Sequence, residues 1–507
     1  MGYPLGEYVG RSGVGKMRAG RSLLFLIAFL CFVSLAASLL ASSSGHKEQS
    51  VPTPTTLLLG TLPEEWIGKP YLHPNGWGLG LVVPRGNRMA VWVNGRLGPE
   101  FDRVGEGSFS FSPDGRRFAY AAQIERGWSI VVDHQPGQVY EQVGQPLFSP
   151  DGERLAYSAC REGRWTVVID GKEGPLFDSI GILAFSANGK RLAYTAKQEE
   201  KWVLVVDGNI GDAFEALSPP IFSPDGERLA FAARQGQNWF VFVDGKVHGP
   251  YGGVAWITFS PNSARVAFGA SRGRDRFVVV DGQEGPAYDD VGVAVFTPGG
   301  EHLAYAARKG PGALVVVDGQ EGPLFGEVGM PAFRGESAEV VYAARKGALW
   351  VVVAGTSEGP SYQSIEALGV TRDGKRLAYV ARKGRSVVAV LDGRELGPFD
   401  GCSPPILDPA GGRVAFVVQK GKTWMTLIDG KEGPSWEGIV RFLFSPDGRR
   451  VVYVALKERK FRLIVDDQEV GIFDEIVRNG PSFRPDGTLE ALTVRNRQLM
   501  QTCLSFE

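Results

Sequence analysis

The chain has 507 residues, 43% of them hydrophobic and 22% charged, which is too long for one ordinary core and suits several domains or a repeat array. Its net charge of −1 offers no global attraction for nucleic acid, so none is expected as a partner, and any charge-driven ligand must meet a local patch. The 68 glycines follow no collagen period and call for many tight turns, while four cysteines without a CxxC spacing argue for free thiols over a metal site or disulfide framework.

Taken in chain order, residues 1–21 form a basic segment with Arg11, Lys16, Arg18 and Arg21. Residues 22–42 follow, and within them "LLFLIAFLCFVSLAASLLA" (23–41) carries no charge over nineteen positions. At about 1.5 Å per residue, a helix of that length spans a bilayer. The basic residues ahead of it keep that end in the cytoplasm and send the remainder across. Two forms of this N-terminal helix stand side by side: a transmembrane signal anchor, or a signal peptide cleaved near Ser34-Leu35-Ala36. A start at Met17, giving "MRAGRS", strengthens the export character of either. Residues 43–55 make a polar Ser/Pro/Thr linker. The stretch "GRSGVGK" (10–16) fits a phosphate loop in letters only, because Met17 occupies the hydroxyl position and no strand precedes it. "MGYPLG" likewise lacks the Ser or Thr of a myristoylation signal, with Gly6 in its place. No cofactor is expected.

Residues 56–507 are an array. "FSPDGRRFAY" (111–120) returns as "FSPDGERLAY" (148–157) and "FSPDGERLAF" (222–231). The opening position recurs every 37 residues at Phe111, Phe148, Phe185, Phe222, Phe259, Phe296, Phe333, Val370, Leu407 and Phe444. Phe483 follows after 39 residues, and an imperfect copy, "LHPNG", starts at Leu72, 39 before Phe111. A strict period in this range means stacked units that cannot bury their apolar faces alone. Within 185–221 the runs "KRLAYTA", "KWVLVVD", "DAFEAL" and "PPIF" read as four strands of one unit. Asp-Gly pairs close the first hairpin (Asp151-Gly152, Asp225-Gly226) and the second (Asp170, Asp207, Asp244), as residues that accept the positive φ of two-residue turns. Runs such as "VLVVD" are apolar on both faces, so each sheet is covered on both sides by its own copies. The expected fold is all-β, a propeller of about twelve four-stranded blades. It forms either one large closed ring or two rings of roughly six blades split near 293–296, where the even step favours one ring. After Phe483 the chain is one strand short, and "TTLLLGTL" (55–62) is expected to complete the last blade and cover its edge.

The phrase F-S-P-D-G-x-R-L-A-Y, with Pro-Asp-Gly at Pro113, Pro150, Pro224, Pro446 and Pro485, resembles the WD40-like repeat of periplasmic TolB and of the propeller domains of prolyl-oligopeptidase-type peptidases. "VDGQEGPLF" (317–325) and "IDGKEGPLF" (169–177) look like a bacterial exported subgroup of that family. The resemblance covers nearly everything from Leu72 onward and is specific for fold, not function. Together with the N-terminal apolar segment it points to a bacterial-envelope protein, periplasmic or extracellular, tethered to the inner membrane by residues 22–42 in the uncleaved form. The opening turn departs from the pattern at Phe333 ("FRGES"), Val370 ("VTRDG") and Leu407 ("LDPAG").

Catalytic signals fail on context. Gly269-Ala270-Ser271-Arg272-Gly273 fits a nucleophile elbow, yet it falls in a turn between strands with no hydrolase domain to receive it. The sialidase box S-x-D-x-G-x-x-W does not fit either, because Gly115 follows Asp114 directly. His46, His73, His134, His248 and His302 show no ligand spacing. Trp128, Trp165, Trp202, Trp239, Trp350 and Trp424 recur seventeen residues after the anchor, a fixed blade position that suits inter-blade packing better than an aromatic rim for sugars. The turn after "RLAY" carries Arg161, Lys197, Arg234, Arg272, Arg308, Arg345, Arg382, Lys420 and Lys457. Successive blade turns alternate between the two faces of the disc, so these nine define a basic ring that suits an anionic envelope ligand or an acidic protein. The sequence therefore supports a non-enzymatic, extracytoplasmic, TolB-like scaffold for protein or envelope-ligand binding. The alternative is a carbohydrate hydrolase or lyase with its site in the channel.

Overall fold

The computed structural model describes residues 53–506 and, as backbone, a three-residue strand, Lys16–Arg18, beside Glu65–Ile67. The remainder of residues 1–52 lies outside the described residues, and with it the expected membrane or signal helix, the phosphate-loop match and most of the linker. The described residues contain strands and turns and no helix. They form twelve antiparallel sheets, each a propeller blade. Every anchor ends the first strand of its blade, so blades 1 to 12 are numbered by the anchors from Leu72 to Phe483.

Blade 4 shows why these residues fold this way. Its strands are Ser179–Phe185, Leu192–Gln198, Lys201–Val206 and Asn209–Phe214. Val203, Leu204 and Val205 are all buried, so both faces of the third strand are covered, as its unbroken apolar run requires. The fourth strand is exposed along its length except at Phe214.

Two sequence expectations change. "DAFEAL" is not one strand: Phe214 pairs with Trp202 of its own sheet, whereas Ala216 pairs with Arg234 of blade 5. The chain changes blade at Glu215, whose amide donates to the Arg234 carbonyl at 3.1 Å. The expected third and fourth strands of one unit thus belong to neighbouring sheets, and the innermost strand of each blade is supplied by the tail of the preceding repeat. The second correction concerns the first hairpin. Only the second Asp-Gly pair has both residues at positive φ (Asp170 50°, Gly171 80°). In the first, Gly152 alone does, at 76°, because Pro150 fixes a type I turn ahead of it.

The blades close into one ring. Blade 6 packs on blade 7 through Ala267 and Val278 against Tyr305 and Leu314, with the same kind of core as its neighbours, so no split occurs near 293–296. Blade 12 packs on blade 1 through Leu492 and Leu499 against Leu81 and Val83. Thr55–Thr61 pairs with Gln498–Leu504 as the outermost strand of blade 12, as the sequence predicts. There Gly60 and Gly95 meet backbone to backbone: a Cβ on Gly95, at φ 94°, would stand 1.9 Å from the Leu59 carbonyl oxygen.

Candidate functional site

The repeated phrase is an architectural device. In blade 5 the Ser223 hydroxyl donates to Asp225 Oδ1 at 2.5 Å and accepts from the Arg228 amide at 2.9 Å. The Ser223 hydroxyl and then the Glu227 amide hold the Asp225 carboxyl below the usual carboxylate range, and Asp151 is held down in the same way by Ser149. Carboxyls so held are ionised acceptors and unsuited to act as general acids near neutral pH.

The arginine of the phrase joins blades. Arg228 Nε donates to Asp244 Oδ2 at 2.8 Å across its own sheet, and its terminal nitrogen reaches the blade 6 carbonyls of Ser263 at 2.9 Å and Ala264 at 2.7 Å. Its guanidinium lies 5.1 Å from the ring centroid of Phe259, the next anchor. Arg117, Arg154, Arg191 and Arg265 repeat the arrangement over Phe148, Phe185, Phe222 and Phe296. Because this arginine bridges the two sets of Asp-Gly turns, both lie on one face of the disc, as the alternation of turns predicts. Arg228→Ala is expected to cost about 1–2 kcal/mol through lost charge-assisted and cation–π contacts. Denaturant unfolding checks this, with Asp244→Asn adding little on top, because the ion pair is already broken while the amide oxygen still accepts from the Leu229 amide.

The seam where blades 12, 1 and 2 meet uses a different fastener. Blade 1 has Gly78 where the arginine would stand, and a Cβ there would meet Phe111 at 2.6 Å. Arg484 of blade 12 serves instead. It pairs with the buried Glu490, lies 4.3 Å from the Trp77 ring centroid, and donates to the Asp114 carbonyl of blade 2 at 2.9 Å. His73 stacks on Trp77 with centroids 5.2 Å apart, and burial pushes its pKa down, keeping a second positive charge away from Arg484.

The nine basic residues expected to form a ring fall into two series. Lys197, Arg234, Arg308, Arg345 and Arg382 are penultimate in their second strands; Arg161, Arg272, Lys420 and Lys457 are last. Neighbouring strand positions project to opposite faces of a sheet, so the two series flank each blade on different sides. Seven of the nine are ion-paired: Arg161–Glu173 (3.0 Å), Lys197–Glu200 (2.9 Å), Arg234–Glu215 (4.0 Å), Arg272–Glu284 (2.8 Å), Arg345–Glu327 (3.3 Å), Arg382–Glu366 (2.7 Å) and Lys420–Glu432 (2.5 Å). Arg308 and Lys457 have no ion-pair partner among the described residues.

The other expected features take structural places. Trp128 and Trp239 pack into the inter-blade clusters of blades 2–3 and 5–6, as their fixed blade position predicts. Ser271 lies in the strand Val266–Arg272, not on a strand-to-helix elbow, with its hydroxyl 3.4 Å from the Gly253 carbonyl. His302 Nδ1 lies 2.7 Å from Asp318 in the place of a bridging arginine, His248 packs near Phe268, and His134 sits edge-on to Phe118. Among the described residues no cluster of His, Cys, Asp or Glu is arranged to hold a metal. Cys160, Cys402 and Cys503 are free thiols, and burial pushes Cys402 up to about 12.

Three surfaces escaped the sequence reading. The first is the outer wall. In blades 3 and 6 to 10 the last residue of the second strand pairs with a glutamate twelve positions on, as in Lys309–Glu321 (2.7 Å), Lys346–Glu358 (2.8 Å) and Lys383–Glu395 (2.9 Å). Blades 4 and 5 lose both partners together, carrying Gln198 with Ile210 and Gln235 with Val247. Exposed apolar side chains then run along seven consecutive blades: Ile472 on blade 11, Leu57 and Leu58 on blade 12, Leu97 on blade 1, Val139 on blade 2, Leu176 on blade 3, and Ile210 and Val247 on blades 4 and 5, with Leu324 standing apart on blade 7. Among the described residues, the fourth strands of blades 6, 8, 9 and 10 expose no large hydrophobic side chain. Aligning the repeat with itself would have shown this paired loss.

The second surface is the axis. Twelve sheets packed about 10 Å apart need a perimeter of about 120 Å, so the first strands cannot meet at the centre. Ile182, Val293 and Met330 share one position, three residues before the anchor, and are exposed. The third is the interface of blades 2 and 3, which opens into two clefts. One, of about 360 Å³, is lined by Glu106, Ser108, Trp128, Gln142 and Gln145 among others; the second, of about 470 Å³, is lined by Arg117, Gln135, Gln138, Tyr157 and Asp170 among others.

No family model matches the chain, and no curated protein matches it. Solved structures do align with it. A eukaryotic initiation factor shares 13% identity at a TM-score of 0.36, over 71% of this chain and 96% of that one. TolB from Acinetobacter baumannii shares 16% at 0.22, over 48% and 78%. The β-propeller domain of the trilobed protease from Pyrococcus furiosus shares 15% at 0.25, over 57% and 96%. At these identities and scores the likeness adds nothing to the architecture seen directly: the chain is a twelve-bladed β-propeller.

Proposed function

We propose that this chain is a non-enzymatic, extracytoplasmic scaffold, tethered through residues 22–42, that holds a protein partner of the bacterial envelope against its outer wall. The observation that carries this reading is the one-sidedness of that wall. A stacked repeat needs apolar residues between its blades, not on its rim, so a run of exposed apolar side chains over blades 11, 12 and 1 to 5 has no architectural use. The paired loss of Lys–Glu at blades 4 and 5 removes charge where it would oppose an apolar contact. The face bearing Arg161, Lys197, Arg234, Arg272, Arg308, Arg345, Arg382, Lys420 and Lys457 supplies a weaker, salt-sensitive contact led by Arg308 and Lys457, since its other members already have carboxylate partners.

The test is co-purification from membranes with mass spectrometry of retained proteins, comparing the wild type with Ile210→Lys/Val247→Lys. Both side chains are exposed (48% and 56%), so the variant is expected to melt within a few degrees of wild type and to lose its principal partner. Retention of the same proteins by both forms would rule out the outer wall as the binding surface.

A further inference from the structure

In a repeat array each blade is a reference for its neighbours, and a position that departs from the common pattern without serving the ring invites a functional account. One set of departures lies where blade 2 meets blade 3. Blade 2 carries two extra residues between Leu72 and Phe111, and Gly105–Ser108 bulge out between Arg103–Val104 and Ser110–Phe111. The bulge is held firmly. Ser108 Oγ donates to the Gly105 carbonyl at 2.7 Å and accepts from the Ala121 amide at 2.9 Å, while the Gly107 amide donates to the Tyr71 hydroxyl of blade 1 at 3.3 Å. Across from it, blade 3 presents Gln145 at the exposed inner position that blades 4, 7 and 8 fill with Ile182, Val293 and Met330. Between them lies the 360 Å³ cleft, within the usual size range of small-ligand sites.

Its chemistry is specific. Trp128, Ala121 and Val143 give one apolar side; Glu106, Gln142 and Gln145 give polar groups around it. No hydrogen bond or ion pair engages the exposed side chains of Glu106, Gln142 or Gln145 among the described residues, so all three are open to a ligand. Two free carboxamides and one carboxylate beside an indole suit a ligand with an apolar face and a fringe of hydroxyls: the amides both donate and accept, and the carboxylate accepts. An anion is disfavoured by Glu106.

We propose that this cleft binds a neutral saccharide unit, one ring lying along Trp128 with its hydroxyls on Gln142, Gln145 and Glu106. This inference does not depend on the protein partner of the outer wall. It also assigns no bond cleavage, since Glu106 is the single carboxylate lining the cleft and glycoside hydrolysis calls for two.

The test is calorimetric titration of the full chain with three neutral probes, maltotriose, cellotriose and N-acetylchitotriose, and with the cationic trimer of glucosamine. Saturable binding of at least one neutral trimer is expected, weakened at least tenfold by Trp128→Ala and about fivefold by Gln145→Leu. Gln145→Leu copies the apolar character of blades 4, 7 and 8 at an exposed position and keeps the fold, so it decides the matter if Trp128→Ala melts early. Absence of binding by all three neutral trimers, binding of the cationic trimer alone, or binding indifferent to Gln145→Leu would each overturn the proposal. The Ile210→Lys/Val247→Lys variant is expected to bind the trimer as wild type does, so failure here and failure of the outer-wall reading are separately visible.

Discussion

Arg484→Met is expected to destabilise the closed ring by about 3–5 kcal/mol, the usual cost of leaving a buried charge without its partner. Glu490 is 3% exposed and stands at the position that blades 2 to 7 fill with a fully buried alanine, such as Ala119, Ala156 and Ala193. Its only ion-pair partner among the described residues is Arg484. The repeat supplies its own control: Arg484→Met/Glu490→Ala gives blade 12 the apolar residue of its siblings and is expected to recover much of the loss. It does not recover all of it, because the contacts of Arg484 with Trp77 and the Asp114 carbonyl go too. Denaturant unfolding of the four-member cycle measures the coupling. A single variant as stable as wild type would show that the seam is held without this pair.

Removing residues 53–62 is expected to have the larger consequence. Thr55–Thr61 supplies the outermost pairing of blade 12, and Leu59 and Leu62 pack into the cluster formed by Trp92, Leu492 and Leu499 at the seam. Without them Gln498–Leu504 becomes an unprotected edge, and the lost hydrogen bonds and apolar burial sum to about 5 kcal/mol or more. Light scattering after size-exclusion chromatography should show association or aggregation, and a synthetic 53–62 peptide added in excess should reverse it. The point version is Gly95→Val, which drives a side chain into the Leu59 carbonyl at a φ of 94°. A truncated chain with the oligomeric state and melting temperature of the full chain would show that the ring closes through its blade cores alone.

Most of the architecture was legible in the letters. A 37-residue period, Asp-Gly pairs and strands apolar on both faces leave few folds besides stacked four-stranded sheets, because every constraint is local and repeated twelve times. The missing final strand was legible too, since its absence after Phe483 and its presence at 55–62 are both plain in the order of runs. Strand membership was not. "DAFEAL" reads as one β segment because propensity is blind to which sheet a residue pairs with, and only coordinates show the chain leaving blade 4 at Glu215.

The site was far less legible. The basic residues stood out because charge is conspicuous in a sequence, but the glutamates that pair with Arg161, Arg272 and Lys420 lie twelve positions away on another strand. Electrostatics is decided by such distances, not by the count of cations on a turn. Trp128 looked like its five siblings, and what sets it apart is a bulge in its own blade and two glutamines from the next. By itself, then, the sequence determined that this protein is made of like four-stranded sheets stacked about an axis, with its own N-terminal strand completing the last, because turn chemistry and apolar alternation act between near neighbours. The tertiary structure alone decided that there is one ring and not two, which charges are already matched, and where the rim and the blade 2–3 interface stay open. Those properties arise between residues far apart in the chain, where no local pattern reports them.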